Sequence, residues 1–410
     1  MGAGMHFYKK TVKDVPLEDN VVLVRADYNV PLKNGKISDD LRIRASLPTL
    51  QYLQKEHCKI VIMSHMGRPE GKSDEKYSLK PVAKRLEKLL GHDIVFVEDC
   101  VGDKVTQAVQ AAEPGDVILL ENLRFYPEEE ANDLEFAKKL ANASTARYFV
   151  QDGFGVVHRA HASTEAITRC LPSVAGLLLE REVTIINDGM KEPKRPLYAV
   201  LGGAKVSDKI KVIDKFVAIA DRIFVGGAMA NTFWAYKGAN MGKSKLESDQ
   251  KEVLDHIYAT AYKKVGDKVN DFIALPSDVA VAKAVDEDEK RKNVGVYELA
   301  KNDIALDIGD KTIEYFSSEL AKAGTVIWNG TMGYAELPEF AHGSARVALA
   351  IASHPETTSI VGGGDTTDFV LKWDGHDGRS FTHVSTGGGA SLDLMAGKAL
   401  PGVDALLDVS

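Results

Sequence analysis

Arginines and histidines stand at the ends of the apolar runs in the first half of this 410-residue sequence, and glycines stand there in the second. At and after "VVLVRADY", "KIVIMSHMG", "DVILLENLRF" and "RYFVQDGFG" come Arg25, Asp27 and Asn29, then His65 and Arg68, then Arg124, then His158, Arg159 and His161. Guanidinium and imidazole groups that converge repel one another unless a polyanion lies among them. The planar donor fork of Arg matches phosphate and carboxylate. This half therefore predicts a small, multiply charged anion; for any one arginine the alternative is a solvated surface charge. The second half offers Gly202 and Gly203, Gly226 and Gly227, Gly330, then Gly362 to Gly364. Glycine lets backbone N–H groups approach phosphates closely, which predicts a nucleotide tail.

Two further stretches sharpen this. In "IVGGGDTTDF", residues 360–369, a strand ending in glycines and passing into a helix at Asp-Thr-Thr leaves bare N–H groups where an anion can sit. The alternative is a tight turn with an Asp or Thr N-cap. In "GGAKVSDKIKVI", Lys205 and Lys209 are four apart where a helix should begin. Like charges at that spacing, and cations near a helix N-terminus, are each unfavourable by roughly 0.3 kcal/mol. An anion between them removes both penalties; a solvated basic face eased by Asp208 is the alternative. Other patterns carry less. "GANMGKS" has three residues between Gly238 and Gly242 where a P-loop needs four, and it follows no strand. No G-x-G-x-x-G occurs, against a dinucleotide oxidoreductase. His158 and His161 have no third ligand nearby for zinc, and "YPEEEAND" reads as a solvated helix start.

The elements that position these residues are legible in the same runs. Short Val, Ile and Leu segments alternate with helix-patterned stretches such as "SLKPVAKRLEKLLG", which predicts parallel sheets covered on both faces. The expected fold is α/β: two doubly wound parallel-sheet, Rossmann-like domains joined by a hinge helix in "LPSVAGLLLEREVTIINDGMKEPKRP". Gly176, Gly189 and Pro193, with the stretch near Ser385 to Gly389, are expected to permit domain movement. In open sheets of this kind ligands gather at the carboxyl ends of the strands. A length of 410 residues exceeds one ordinary core, in keeping with two domains. The net charge of -8 argues against a general nucleic-acid binder. No run approaches a membrane span and no signal peptide precedes the first domain, so cytoplasm is the expectation. Cys58, Cys100 and Cys170 are odd in number and far apart, which predicts reduced core thiols. "MGAGM" reads as an extension before a start at Met5. No self-complementary apolar surface is evident, which predicts a monomer.

Taken in order, "VRADYNVP", "SHMGRP", "ENLRF", "DGFGVVHRAHAS", "LGGAKVSDKI", "WNGTMGYAE", "VGGGDTT" and "VSTGGGASLDLMAGKALPGV" closely resemble the phosphoglycerate kinase family, from Met5 to Ser410. The resemblance implies an N-terminal domain, 1–182, that binds 3-phosphoglycerate or 1,3-bisphosphoglycerate through Asp27, Asn29, Arg42, His65, Arg68, Arg124 and Arg159. It implies a C-terminal domain, 183–394, that binds magnesium ADP or ATP, and a tail, 395–410, that returns to the first domain. Lys205, Lys209 and Asn329 would meet the phosphates together with Gly363, Gly364 and Thr366; Glu336 would take ribose hydroxyls and Asp365 the metal. The activity implied is reversible phosphoryl transfer to ADP in glycolysis and gluconeogenesis, in a cleft closed by hinge bending. Arg42 and Lys205 would hold the migrating phosphoryl, with backbone donors from Gly364 and Gly389 at two helix starts. Some positions depart from the family pattern: Thr331 for proline, Gln151, Gly153, Val156 and Val157 in the "NDAFGTAH" segment, Tyr28 for phenylalanine and Ala26 for valine. Two rival readings are a kinase for another small acid and a nucleotide-binding scaffold without turnover. The presence of Arg42, Lys205 and Asp365 weighs against the scaffold.

Overall fold

Runs of β-branched residues become parallel strands here because both of their faces can be covered by helices. The computed structural model describes residues 7–375 and 377–410, so the opening extension before Met5 lies outside the described residues. The chain divides into two units: the first runs to Thr184 and takes back Ala399–Ser410, and the second is Ile185–Lys398.

The sheet of the first unit contains β1 (Val21–Arg25), β2 (Lys59–Met63), β3 (Val95–Val97), β4 (Val117–Leu120), β5 (Tyr148–Gln151) and β6 (Ser173–Ala175). Their spatial order is β3-β4-β2-β1-β5-β6, every pair parallel. Arg25 is level with Met63 on one side and with Gln151 on the other. The segments after β1, β2 and β5 therefore leave the sheet side by side. Helix α1 (Leu41–Lys55) buries Ile43, Leu50 and Leu53 in one cluster with Val22, Val24 and Ile60. Burying each such side chain contributes about 2 kcal/mol. Ile43 so anchored fixes the first turn of α1, and with it Arg42. The returning tail is fastened at several points: Gly402 N–H donates to Val157 O (2.9 Å) and Leu407 N–H to Ser173 O (3.0 Å). Lys9 Nζ donates to the carbonyls of Asp404 (2.8 Å) and Leu406 (3.0 Å).

Helix α2 (Leu177–Lys191) carries the chain from one unit into the next. Gly176 just before it and Gly189 within its last turn have packing reasons. A Cβ on Gly176 would lie 2.1 Å from Asp152 Oδ1, and one on Gly189 2.5 Å from Ile360 Cδ1. Asp152 Oδ1 accepts from Leu178 N–H (3.1 Å), and so caps α2, and from Thr49 Oγ1 (2.9 Å).

The second unit contains β7 (Leu197–Leu201), β8 (Arg222–Val225), β9 (Ile273–Ala274), β10 (Asp278–Ala282), β11 (Lys292–Gly295), β12 (Ile304–Ile308), β13 (Thr325–Asn329), β14 (Thr358–Gly362) and β15 (His383–Val384). The parallel sheet has the order β9-β8-β7-β13-β14-β15. A separate antiparallel sheet, β11-β10-β12, is an addition to the architecture expected from the sequence. "FIALPSDV" reads as one buried run but divides around Pro276 into β9 and β10. Proline lacks the N–H that a central strand needs.

The three thiols are free, yet only Cys58 and Cys100 are core residues; Cys170 is half-buried, a correction to the sequence expectation. Burial pushes the Cys58 thiol up to about 12 and holds Cys100 well above its usual value. An aromatic disulfide reagent should therefore titrate one thiol in the folded protein and all three in guanidinium. Two or more reacting at once in the native state would contradict this burial.

Candidate functional site

Four neighbouring strands of the first sheet, β4, β2, β1 and β5, end in the four basic segments that the sequence singles out. After β1, Asn29 N–H donates to Asp27 Oδ1 (3.1 Å), and Asn29 Oδ1 accepts from Gly67 N–H (2.9 Å) in the segment after β2. Arg42 Nη1 donates to Asn29 O (2.6 Å) and lies 3.6 Å from Asp27 Oδ1. After β4, Arg124 Nη1 donates to Gly67 O (3.0 Å). Its Nε is buried without a hydrogen-bond partner, a donor that an anionic ligand could satisfy. Asp27, Asn29, Arg42 and Arg124 are thus knitted together through the segment after β1 and Gly67 of the segment after β2.

His65 is 3% exposed, and burial together with Arg25, Arg124, Arg42 and His161 holds its proton affinity well below the usual imidazole range. His161 is pushed down to about 3 by burial and by Arg25, Arg124, Arg159 and His158. Among the described residues no cluster of three or more His, Cys, Asp or Glu could hold a metal, which leaves the zinc reading of "HRAH" without support. Arg159 is exposed and close enough for its charge to act on Arg124 and His161. Arg68 is exposed, one residue beyond Gly67, and makes no bond to the other site residues. The "YPEEEAND" expectation needs correction. Glu129 is 0% exposed and accepts from Ser163 N–H (2.8 Å) and Ser163 Oγ (2.6 Å), because Arg25, also fully buried, requires an anion 3.8 Å away.

In the second unit the turns at Gly202, Gly330 and Gly363 end three adjacent strands, β7, β13 and β14. Asn329, closing β13, is in register with Leu201 on one side and Gly362 on the other. A Cβ on Gly202 would meet Thr331 O at 2.1 Å and one on Gly330 would meet Gly202 C at 2.2 Å, so these turns approach closer than any side chain allows. Gly363 has φ 99° and caps α4 (Gly364–Trp373); a Cβ there would crowd Asn329 Nδ2 at 3.1 Å. Asn329 Nδ2 is buried with no hydrogen-bond partner. Thr366 Oγ1 accepts from Gly330 N–H (2.7 Å) and so ties α4 to the end of β13. Helix α5 (Gly388–Met395), with Gly389 in its first turn, starts beside α4: a Cβ on Gly388 would lie 2.8 Å from Gly364 N. Two helix N-termini, each with N–H groups lacking intrahelical partners, lie against each other.

Lys205 and Lys209 do not form the like-charged helical pair that their spacing suggests, since the α-helix they precede, α3 (Ile210–Ile219), begins only after Lys209. Lys205 is exposed and, among the described residues, in no ion pair or hydrogen bond. Lys209 Nζ instead turns inward and donates to Gly202 O (2.6 Å) and Asn329 O (3.1 Å). Burial pushes it down to about 8, with Asp365 and Asp208 opposing.

These turns border a cavity of about 380 Å³, large enough for a nucleoside, whose lining includes Gly203, Gly227, Thr331, Glu336 and Asp365. Thr331 Oγ1 donates to Gly333 O (3.0 Å). Sequence reasoning missed part of this wall. Leu306 and its neighbours come from β12 of the unexpected antiparallel sheet, Lys243 comes from the rejected P-loop stretch, and Lys245 follows directly after it. The short apolar run in "DIALDI" is the available signal for β12.

Comparison with known proteins bears on both halves. The family model described as phosphoglycerate kinase matches residues 12–398. Curated proteins named phosphoglycerate kinase from Dictyoglomus turgidum and Moorella thermoacetica are each 47% identical, over 98% of this chain and 99% of their own length. The solved phosphoglycerate kinase from Coxiella burnetii superposes with a TM-score of 0.83 at 36% identity, covering 97% of this chain and 98% of its own. That from Pyrococcus horikoshii gives 0.82 at 32% identity, with the same coverage.

Proposed function

This chain belongs to the phosphoglycerate kinase family, and on that premise we propose how its own residues divide the work. The reaction is reversible phosphoryl transfer between 1,3-bisphosphoglycerate and ADP, giving 3-phosphoglycerate and ATP, a step of glycolysis with a carboxyl group as acceptor. The phosphoglycerate takes the basic strand ends of the first unit, on Asp27, Asn29, Arg42, His65, Arg68, Arg124 and Arg159. ADP or ATP takes the glycine turns of the second. Lys205, Lys209, Asn329, Gly363, Gly364 and Thr366 meet its phosphates, and Glu336 its ribose. The observation that carries this is the juxtaposition of three glycine turns at the carboxyl ends of adjacent strands, with the unpartnered Asn329 amide among them.

An acceptor carboxylate titrates near pH 4 (roughly, from the free acid) and is already ionised at neutral pH, so no general base is needed. Catalysis is then positioning plus stabilisation of charge spread over the phosphoryl oxygens, which Arg42, Lys205 and the N–H groups of Gly364 and Gly389 supply. Transfer also requires the two ligands to meet in line with water excluded. Magnesium fits the donor set. It binds through one or two carboxylates plus substrate phosphates, and Asp365 is an exposed carboxylate at the first turn of α4 on the cavity wall. When bound, magnesium neutralises charge on the nucleotide phosphates. No helix among the described residues is long and apolar enough to cross a membrane. We place the enzyme in the cytoplasm, where glycolytic chemistry runs, as a monomer that binds neither nucleic acid nor membrane.

A coupled assay with 3-phosphoglycerate, magnesium and ATP, run beside other small carboxylic acids, tests the reading. Turnover confined to 3-phosphoglycerate is expected; a preference for another acid would overturn it, and nucleotide binding without any turnover would favour a scaffold. Lys209 gives a second test. Its folded-state proton is lost above about pH 8, and a bound polyphosphate restores it. Nucleotide binding should take up close to one proton at about pH 9 and almost none at about pH 6.5. Calorimetry in buffers of different ionisation enthalpy measures this, and Lys209→Met should remove the pH-dependent part. Equal uptake at both pH values would remove Lys209 from the phosphate site.

A further inference from the structure

Behind the basic strand ends lies a chain of hydrogen bonds whose directions can be read without ambiguity. Glu129 Oε1 accepts from Ser163 N–H (2.8 Å), and Glu129 Oε2 accepts from the Ser163 hydroxyl (2.6 Å). With its proton committed to Glu129, Ser163 Oγ is left as an acceptor, and Arg25 Nε donates to it (2.8 Å). Arg25 Nη1 donates to the carbonyl of Ala26. Arg25 Nη2 lies 3.0 Å from His65 Nδ1, and because a guanidinium has donors only, Nδ1 must be the acceptor. An imidazole that accepts at Nδ1 carries its proton at Nε2, and a doubly protonated ring would set N–H against N–H. Arg25, Glu129 and Ser163 are all 0% exposed, so each bond is shielded from competing water. The charge of Arg25 is balanced by Glu129 at 3.8 Å. Around His65, Arg25, Arg42, Arg124 and His161 together disfavour a further positive charge.

We propose that Glu129, Ser163 and Arg25 form a buried positioning relay that locks His65 in its Nε2–H tautomer, so that it meets the phosphoglycerate as an uncharged hydrogen-bond donor. The last clause rests on the substrate placement proposed above; the tautomer does not. Among the described residues Nε2 has no protein partner, so its proton is available to a ligand. The relay also accounts for a fully buried glutamate in a surface-like acidic run, and for Ser163, two residues after the "HRAH" segment. It makes substrate affinity insensitive to the ordinary imidazole titration, because the ring stays neutral while the guanidinium beside it stays charged.

The test is a two-bond proton–nitrogen correlation spectrum of the full chain labelled with ¹⁵N-histidine, followed from about pH 5.5 to 8.5, with His65 assigned through His65→Gln. His65 is expected to show a protonated Nε2, a pyridine-type Nδ1 and no titration. Ser163→Ala should expose Nδ1–H or a titration within that range. It should also raise KM for 3-phosphoglycerate about tenfold, the loss of roughly one hydrogen bond, while KM for ATP stays within about twofold. Ser163→Thr, which keeps the hydroxyl, should restore both readouts. A protonated Nδ1 in the parent overturns the relay, as does an unchanged His65 spectrum and KM in Ser163→Ala. Should Ser163→Ala not fold, the parent spectrum alone decides. The expected tautomer in a chain that does not turn over 3-phosphoglycerate upholds the lock and overturns the function.

Discussion

Lys205→Ala is expected to lower kcat by about a hundredfold or more while leaving the fold intact. The expectation joins two magnitudes. The side chain is exposed and, among the described residues, in no ion pair or hydrogen bond, so its removal leaves no buried group unsatisfied and moves stability by no more than about 0.5 kcal/mol. A cation or donor acting on developing transition-state charge is commonly worth about 3 kcal/mol, which is a hundredfold or more in rate. Lys209 serves as the contrast. Its ammonium holds Gly202 O and Asn329 O, at 2.6 and 3.1 Å, so Lys209→Ala should loosen the glycine turns and lower both stability and nucleotide affinity. Steady-state kinetics beside thermal melts separates the two variants. Near-normal turnover by Lys205→Ala would take that residue out of the chemistry.

What the sequence discloses about such a site follows from how far the determining contacts lie along the chain. The basic ends of β1, β2, β4 and β5 are legible because parallel strands bring their carboxyl ends to one edge, whatever the lengths of the connections. The glycine turns are legible for the same reason, and because glycine at a strand end needs a geometric cause. Glu129 is not legible. It is one of three acids in "PEEE", and only Ser163, 34 residues away, and Arg25 beneath it select that one for burial. Periodicity cannot report such a choice, since the helix that carries Glu129 is a single turn. The inward turn of Lys209 is hidden likewise, because the carbonyl it reaches at Asn329 is 120 residues distant. The antiparallel sheet escaped for a different reason: Pro276 interrupts the apolar run that leads into it.

Arg42→Ala should come close to silencing the enzyme, again by about a hundredfold or more in kcat. Arg42 occupies the first turn of α1, half-buried, its Nη1 donating to Asn29 O at 2.6 Å and 3.6 Å from Asp27 Oδ1, with Ile43 behind it in the core. A guanidinium held in this way has lost its rotamer freedom before any ligand arrives, so little ordering entropy opposes the contact it makes in the transition state. Arg42→Lys should recover only part of the rate, because an ammonium cannot keep a bond to Asn29 O and present a planar fork at once. If Arg42→Lys matched the parent, the fork would be irrelevant, and if Arg42→Ala kept more than about a tenth of parent kcat, the assignment would fail. The pair Arg42→Ala with Lys205→Ala carries the argument furthest. Both cations are assigned to the same transferring group, so the double variant should lose far less than the product of the single losses. Losses that multiply would mean that the two residues act independently, without coupling through one shared group.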